Sequence, residues 1–388
     1  MIFAHLAASA DYTTPPLWRI LTKSGYFIGL CGAIGSTVTY AAAVRPALRT
    51  PENERGDVDA LRRRTAGYLA WSGVLLLVAG YFQLAARLAR AGKGMPFGEA
   101  LAPGRIRDFL RAPAAKGTWV AQGTICLVQN AVLVLASAAL IALFIPQARR
   151  YLDVLALTAL PLALAVTLIA AIPATAPKDA DHVLDPLFDQ VHIVSGTVWI
   201  GGLALLATLA GTCGRLSENA GALWADLWRR FSLVALVCVG SVLTSGLWMS
   251  WKHVGGIEQL WTTTYGFFLL IKIALVLGMV TAGGVNQFWL MPRIAQARRA
   301  DPTASLLHLT LRHFPKVVWA EVALGAAVLA VVPFLSGSAR SEAGSPPPVT
   351  SGTIFAVGAV LALTLAASLH ITVRTSDALS RREALATP

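Results

Sequence analysis

About nine runs of some twenty predominantly apolar residues divide this chain, leaving almost nothing between them to build a water-soluble core. They span 24–44, 65–86, 118–145, 151–173, 188–212, 231–251, 265–289, 317–336 and 350–373. Every backbone polar group must find a partner inside a bilayer, so runs of this length read as membrane-crossing helices. Composition agrees: 56% of the residues are hydrophobic and 13% charged, where a soluble domain carries roughly 25% charged residues. The expected fold is all-α, a polytopic transmembrane bundle whose surroundings are membrane lipid. Trp119, Tyr151, Trp251, Tyr265 and Trp289 stand near span ends, where aromatic rings meet the headgroups. The opening MIFAHLAASADYTTPP has no basic start and makes a poor signal peptide, so the first span is expected to insert directly.

The formal net charge of +12 does not point to nucleic acid, because the basic residues form short clusters between apolar runs. With the N-terminus outside and the C-terminus cytoplasmic, 19 Lys and Arg fall on inner segments and 12 on outer ones. Seven of those 12 lie in one loop, 87–116, which weighs against this orientation. An internal likeness weighs for it. Arg63-Arg64 and Arg229-Arg230 precede the second and sixth spans, Gly80 and Gly246 each follow sixteen residues later, and Leu77 and Leu243 are in register. Two four-helix units, 24–173 and 188–336, would then share one orientation in the plasma membrane. The remaining segments are an N-terminal outer stretch 1–23, an acidic outer loop 174–187, a Ser/Gly/Pro-rich linker 337–349, and 350–388 with the last helix and a cytoplasmic tail.

Ionisable side chains inside a membrane cost roughly 2.5–3.5 kcal/mol each on insertion scales, which makes them functional candidates. Asp189 and His192 open the fifth span one turn apart, and Trp199 continues that face. Lys272 lies in the seventh span, with Met279 and Asn286 following at seven-residue steps, and Glu321 lies in the eighth. At about 1.5 Å per residue, His192 and Lys272 differ in depth by about 6 Å, and Lys272 and Glu321 by nearly 20 Å. That spacing favours Lys272 near Asp189 over a Lys272–Glu321 ion pair, and sets Asn286 level with Glu321. The bland alternative is that these groups only lock helices together.

The outer segment carries Asp181, His182 and Asp185 ahead of Asp189 and His192, and Met249 and His253 are four apart at the end of the sixth span. Imidazole and thioether near carboxylate suit copper in either oxidation state, although the same residues also fit an ordinary solvated loop. Cys31, Cys126, Cys213 and Cys238 show no CxxC spacing and read as packing residues. No hydrolase, zincin, nucleotide-binding or dinucleotide-binding fingerprint stands in a fitting context. A b-type haem would need two facing histidines, and His192 and His253 are the outer pair available.

From Asp189 to about Arg340 the chain resembles the CopD family of copper-resistance membrane proteins. The resemblance rests on Asp189 and His192, Trp199-Ile-Gly201-Gly202, Arg230-Phe-Ser232 with Gly246, Tyr265-Gly266, Lys272, Asn286, and Leu311-Arg312 through Glu321 to Leu324-Gly325. It departs at Gln287, where the family often has Arg, and at Gly123, the first-half counterpart of Lys272. The resemblance implies an inner-membrane protein that moves copper with extracytoplasmic partners of the CopC type, and the expected role is that of a permease or copper-handling protein and not an enzyme. The resemblance also makes His192 the leading copper contact. A haem-binding electron-transfer protein and a non-transporting scaffold for copper-protein assembly are the rival expectations.

Overall fold

A computed structural model describes residues 14–51, 53–92, 95–173, 175–177, 180–212, 216–217, 220–285, 306–345 and 360, with residues 306–317 described by backbone alone. Seven helices among them are long and apolar enough to cross a membrane. They are α1 (Leu17–Leu48), α2 (Arg55–Ala91), α3 (Gln122–Phe144), α4 (Pro146–Ala170), α5 (Asp181–Ala210), α6 (Gly221–His253) and α7 (Thr264–Gly284). An eighth, α8 (Leu306–Val331), has a shorter apolar stretch over Val318–Phe334. Apart from residue 360, the span expected at 350–373 lies outside the described residues, as do Asn286 and Gln287.

Several helices run past their apolar cores. The second span begins at Arg55, the sixth at Gly221, and the acidic segment read as loop is helical from Asp181. Charged side chains do not end a helix. They end its buried part, and the polar turns continue towards headgroups and water. Pro15 and Pro16 precede α1, whose N-cap is Pro16. The segment expected to be a flexible linker is folded as far as Ser345, through a helical turn Ala339–Glu342 with a capping box from Ser338 and Ser341.

The bundle centres on the crossing of α1 and α5. There α1 makes a π-helical turn over Cys31–Gly35, a device that re-aims a helix locally. The backbones meet through glycine: a Cβ on Gly35 would overlap the Thr197 carbonyl oxygen, and one on Gly201 would overlap that of Cys31. Small residues at such a crossing supply the close van der Waals contact that associates helices in lipid. Both the pair Gly35 and Gly201 and the pair Cys31 and Thr197 are 166 residues apart, as are Gly80 and Gly246. The contact is therefore reciprocal under that offset.

At one end of the bundle, Asp153 at the start of α4 pairs with Arg49 at 3.1 Å and Arg45 at 3.5 Å, and accepts a hydrogen bond from Tyr40. Asp57 at the same end accepts from Ser217 N–H at 2.9 Å and Oγ at 2.6 Å, linking α2 to the approach of α6. At the opposite end, Lys252 of α6 pairs with Asp181 of α5 at 2.7 Å. Apolar side chains such as Trp71 and Val237 remain exposed on the flanks, as a lipid-facing surface requires. Cys31, Cys126 and Cys238 are buried free thiols.

Candidate metal-handling site

The polar residues of the CopD-like half gather towards the Lys252 end, between α5, α6 and α7. Tight packing of α5 on α6 sets His192 against Ser245, while α6 and α7 touch little directly. Ser245 is fully buried, and its hydroxyl donates to the Ser241 carbonyl at 2.6 Å. With that single proton spent, its oxygen accepts from His192 Nδ1 at 3.0 Å. The other ring nitrogen, Nε2, then carries the lone pair and faces Lys272 Nζ at 3.4 Å. The result is a directed chain: Lys272 to His192 to Ser245 to the α6 backbone. A ring held by its Nδ1–H, with Nε2 turned to a cation, is the arrangement in which imidazole binds metals.

Asp189, one turn above His192, is within electrostatic reach of Lys272, Lys23 and His253. It forms no ion pair within 4.0 Å with Lys272, whose direct polar contact is His192. The α1 side of the cluster is fixed by Lys23 and Ser24, which donate to the carbonyls of Val332, just past α8, and of Leu329 in α8 at 3.4 and 3.3 Å.

The acidic residues above are occupied. Asp185 accepts from Trp248 Nε1 at 2.9 Å and lies 3.4 Å from Lys252, whose ammonium also stacks over Trp248 and Trp251 at 5.3 and 5.1 Å. His182 is exposed at the start of α5. His253 donates from Nδ1 to the carbonyl of Met249 at 2.8 Å and stacks on Tyr265. The contact between these two residues is thus ring to backbone. Among the described residues, no three His, Cys, Asp or Glu side chains converge as a metal shell. The residues singled out from sequence are strung along the helices.

A strap closes this end. Glu342 accepts from the N–H groups of Thr264 and Tyr265 at 2.8 and 3.1 Å, capping α7, while Arg340 donates to the Trp251 carbonyl at 3.2 Å. Burial pushes the Glu342 carboxyl above its usual range, and the two N–H groups oppose that shift. The strap thereby spans the poorly packed α6–α7 boundary. Farther along, Met279 is buried beside Gly325 of α8, and Glu321 is 3% exposed, with an Oε1 that has no partner among the described residues. Trp199 is buried in the central core.

Sequence reasoning missed Ser245, the strap, and a second network in the first half. There Arg87 donates to Gln129 at 2.6 Å, and Gln129 donates to Tyr26 at 3.2 Å and to the Val166 carbonyl at 3.1 Å. A buried Gln in an apolar run was the available signal.

Residues 225–335 match the family described as Copper resistance protein D, CopD. That stretch of the chain is similar to a CopD domain. Lys272, Met249, His253 and Glu321 fall within it, while Asp189 and His192 precede it on the helix that completes the site. The copper transport protein CutJ of Bacillus subtilis (strain 168) is 29% identical over 233 residues, covering 60% of this chain and 41% of that protein. The chain thus spans well under half the length of this curated relative. No solved structure matches. Together with the apolar helices, these likenesses mark a multi-pass membrane protein similar to proteins named for copper resistance and copper transport.

Proposed function

We propose that this protein carries copper ions inward across the plasma membrane, and that His192 Nε2 is the first contact within the bundle. The observation that carries the reading is the Lys272–His192–Ser245 chain: an imidazole oriented by its far nitrogen, its near lone pair already opposite a positive charge. Copper displaces the Lys272 ammonium, which turns towards Asp189. That move exchanges one cation for another beside the same ring and limits the electrostatic cost of admitting the ion. Asp189, His182, Met249 and His253 serve the approach from outside. Below the ring, the buried thioether of Met279 suits Cu(I), and Glu321 offers a carboxylate, with Asn286 expected at its level.

In this reading the Lys252 end faces outwards, the N-terminus is outside and the C-terminus cytoplasmic. A copper-binding protein of the CopC type delivers the ion. The protein acts as a carrier and not as an enzyme, and its two four-helix units are a tandem repeat with one further helix. Reciprocal glycine contacts at a 166-residue offset support that repeat. Copper uptake into proteoliposomes tests the whole. His192→Ala is expected to lower uptake about 100-fold, the upper range for weakening the surroundings of a metal ligand, while leaving the protein folded. Copper-dependent uptake that is unchanged in this variant would refute the assignment.

A further inference from the structure

The first half holds a charged cavity that copper handling does not use. At the Lys252 end, α2, α3 and the short helix Pro103–Arg111 border an open cavity of about 350 Å³ lined by Arg87, Arg90, Ala91, Phe109 and Gln122. Arg19 on α1 stands close enough to Arg90 for the two charges to repel, as does Arg87, and Lys23 feels both Arg19 and Arg90. Among the described residues none of these four cations takes part in an ion pair. Arg19 Nε is buried without a hydrogen-bond partner among them. Arg90 spends its Nε on the Ala86 carbonyl of its own helix, and among the described residues the rest of its guanidinium takes no hydrogen-bond partner.

A third feature adds to the field. Helix α3 starts at Gln122, on the wall of the cavity, with Ala121 as N-cap, no capping side chain and no acidic residue in its first turn. The positive end of its dipole therefore lies at the cavity wall. Arg87 and Arg90 on the lining, Arg19 with its orphaned donor beside Arg90, and an uncapped helix start together suit an anion. The depth of the cavity says which kind. Leu17 and Leu21, on either side of Arg19, are 68% and 62% exposed, and Tyr81 and Phe82 lie exposed below Arg87. Charged groups directly above a lipid-facing apolar belt are at headgroup level.

We propose that this cavity binds the phosphate group of an anionic phospholipid, whose acyl chains lie along the apolar flank of α1 and α2. Free inorganic phosphate shares the chemistry but gains nothing from that flank. The test is a titration of the purified full-length protein in detergent with phosphatidylglycerol, phosphatidylcholine and inorganic phosphate, read by native mass spectrometry and by thermal stability. Phosphatidylglycerol is expected to bind and to raise the melting temperature, and phosphatidylcholine and phosphate to do neither. Arg90→Gln and Arg19→Gln are each expected to weaken phosphatidylglycerol about tenfold, the scale of one charge-assisted hydrogen bond, and Arg90→Lys to restore most of it. If Arg19→Gln fails to fold, Arg90→Gln decides alone, since its guanidinium bonds only to its own helix. Equal binding of phosphatidylglycerol by parent and Arg90→Gln would overturn the proposal. So would phosphate or a polyglutamate peptide binding as tightly as the lipid.

Discussion

If the proposed repeat holds, its two halves place different chemistry at matching positions. Tyr26 and His192 are separated by the same 166 residues that relate Gly35 to Gly201. In the first half, Tyr26 ends a network through Gln129, Arg87 and the Val166 carbonyl that ties α1, α2, α3 and α4 together. In the second, His192 joins Lys272 to Ser245 across helices that otherwise touch little, α6 and α7. Gln129 satisfies both ends of its amide and is 3% exposed. Lys272, by contrast, has an imidazole lone pair where a carboxylate would neutralise it, and Glu321 keeps an oxygen without a partner among the described residues. The comparison separates a lock from a site. A fully satisfied buried network rigidifies, whereas groups left electrostatically hungry can exchange partners.

The largest effect should come from the crossing that both halves share. Gly201→Leu drives a side chain into the Cys31 backbone, which no rotamer change relieves. We expect a loss of about 3 kcal/mol or more, beyond the usual range for overpacking, seen as a collapse in monodisperse yield and melting temperature. Normal yield would show that α1 and α5 are not held by this contact.

The next test separates lock from site. Gln129→Leu removes the partner of Arg87 and should cost about 1.5–3 kcal/mol, the range for a hydrogen bond to a charged group. Copper uptake per folded molecule should stay at the parental level. His192→Ala is expected to do the reverse. A Gln129→Leu protein that is stable but fails in uptake would put the first half on the transport path and erase the distinction.

The helices were legible because a bilayer accepts few alternatives to long apolar runs, and depth was legible because helical rise is constant. Depth brought His192 and Lys272 within about 6 Å, and they touch at 3.4 Å. What depth omits is rotation about each helix axis. Rotation turns Lys272 to the imidazole and keeps Asp189 beyond ion-pair distance, and it selects Ser245 among the several hydroxyls of α6. The π-turn at Cys31–Gly35 shifts that rotation locally and leaves no clear mark in composition. The strap escaped notice for a different reason. Ser, Gly and Pro between spans signal a linker, while the capping box and the docking of Arg340 and Glu342 depend on partners far away in sequence.

The smallest effect is also the sharpest probe of the comparison, since it makes one change at two matched positions. A methyl at Gly80 would meet Leu133 Cδ1 at 2.7 Å, whereas one at Gly246 would meet His192 Cε1 at 3.5 Å, an ordinary contact. Both glycines are helical, so alanine brings up to about 1 kcal/mol of helix propensity at either site. At Gly80 that gain is offset by pushing Leu133 aside, at about 1 kcal/mol for modest overpacking, and the net stability change should be close to zero. At Gly246 the gain is uncompensated, and Gly246→Ala should raise the melting temperature while narrowing the space in which His192 can turn. Uptake should therefore fall modestly in Gly246→Ala and stay unchanged in Gly80→Ala, measured side by side in proteoliposomes. Equal uptake in both would mean that His192 needs no freedom to exchange Lys272 for the ion. The ring would then be a fixed post, and Lys272 the only moving part.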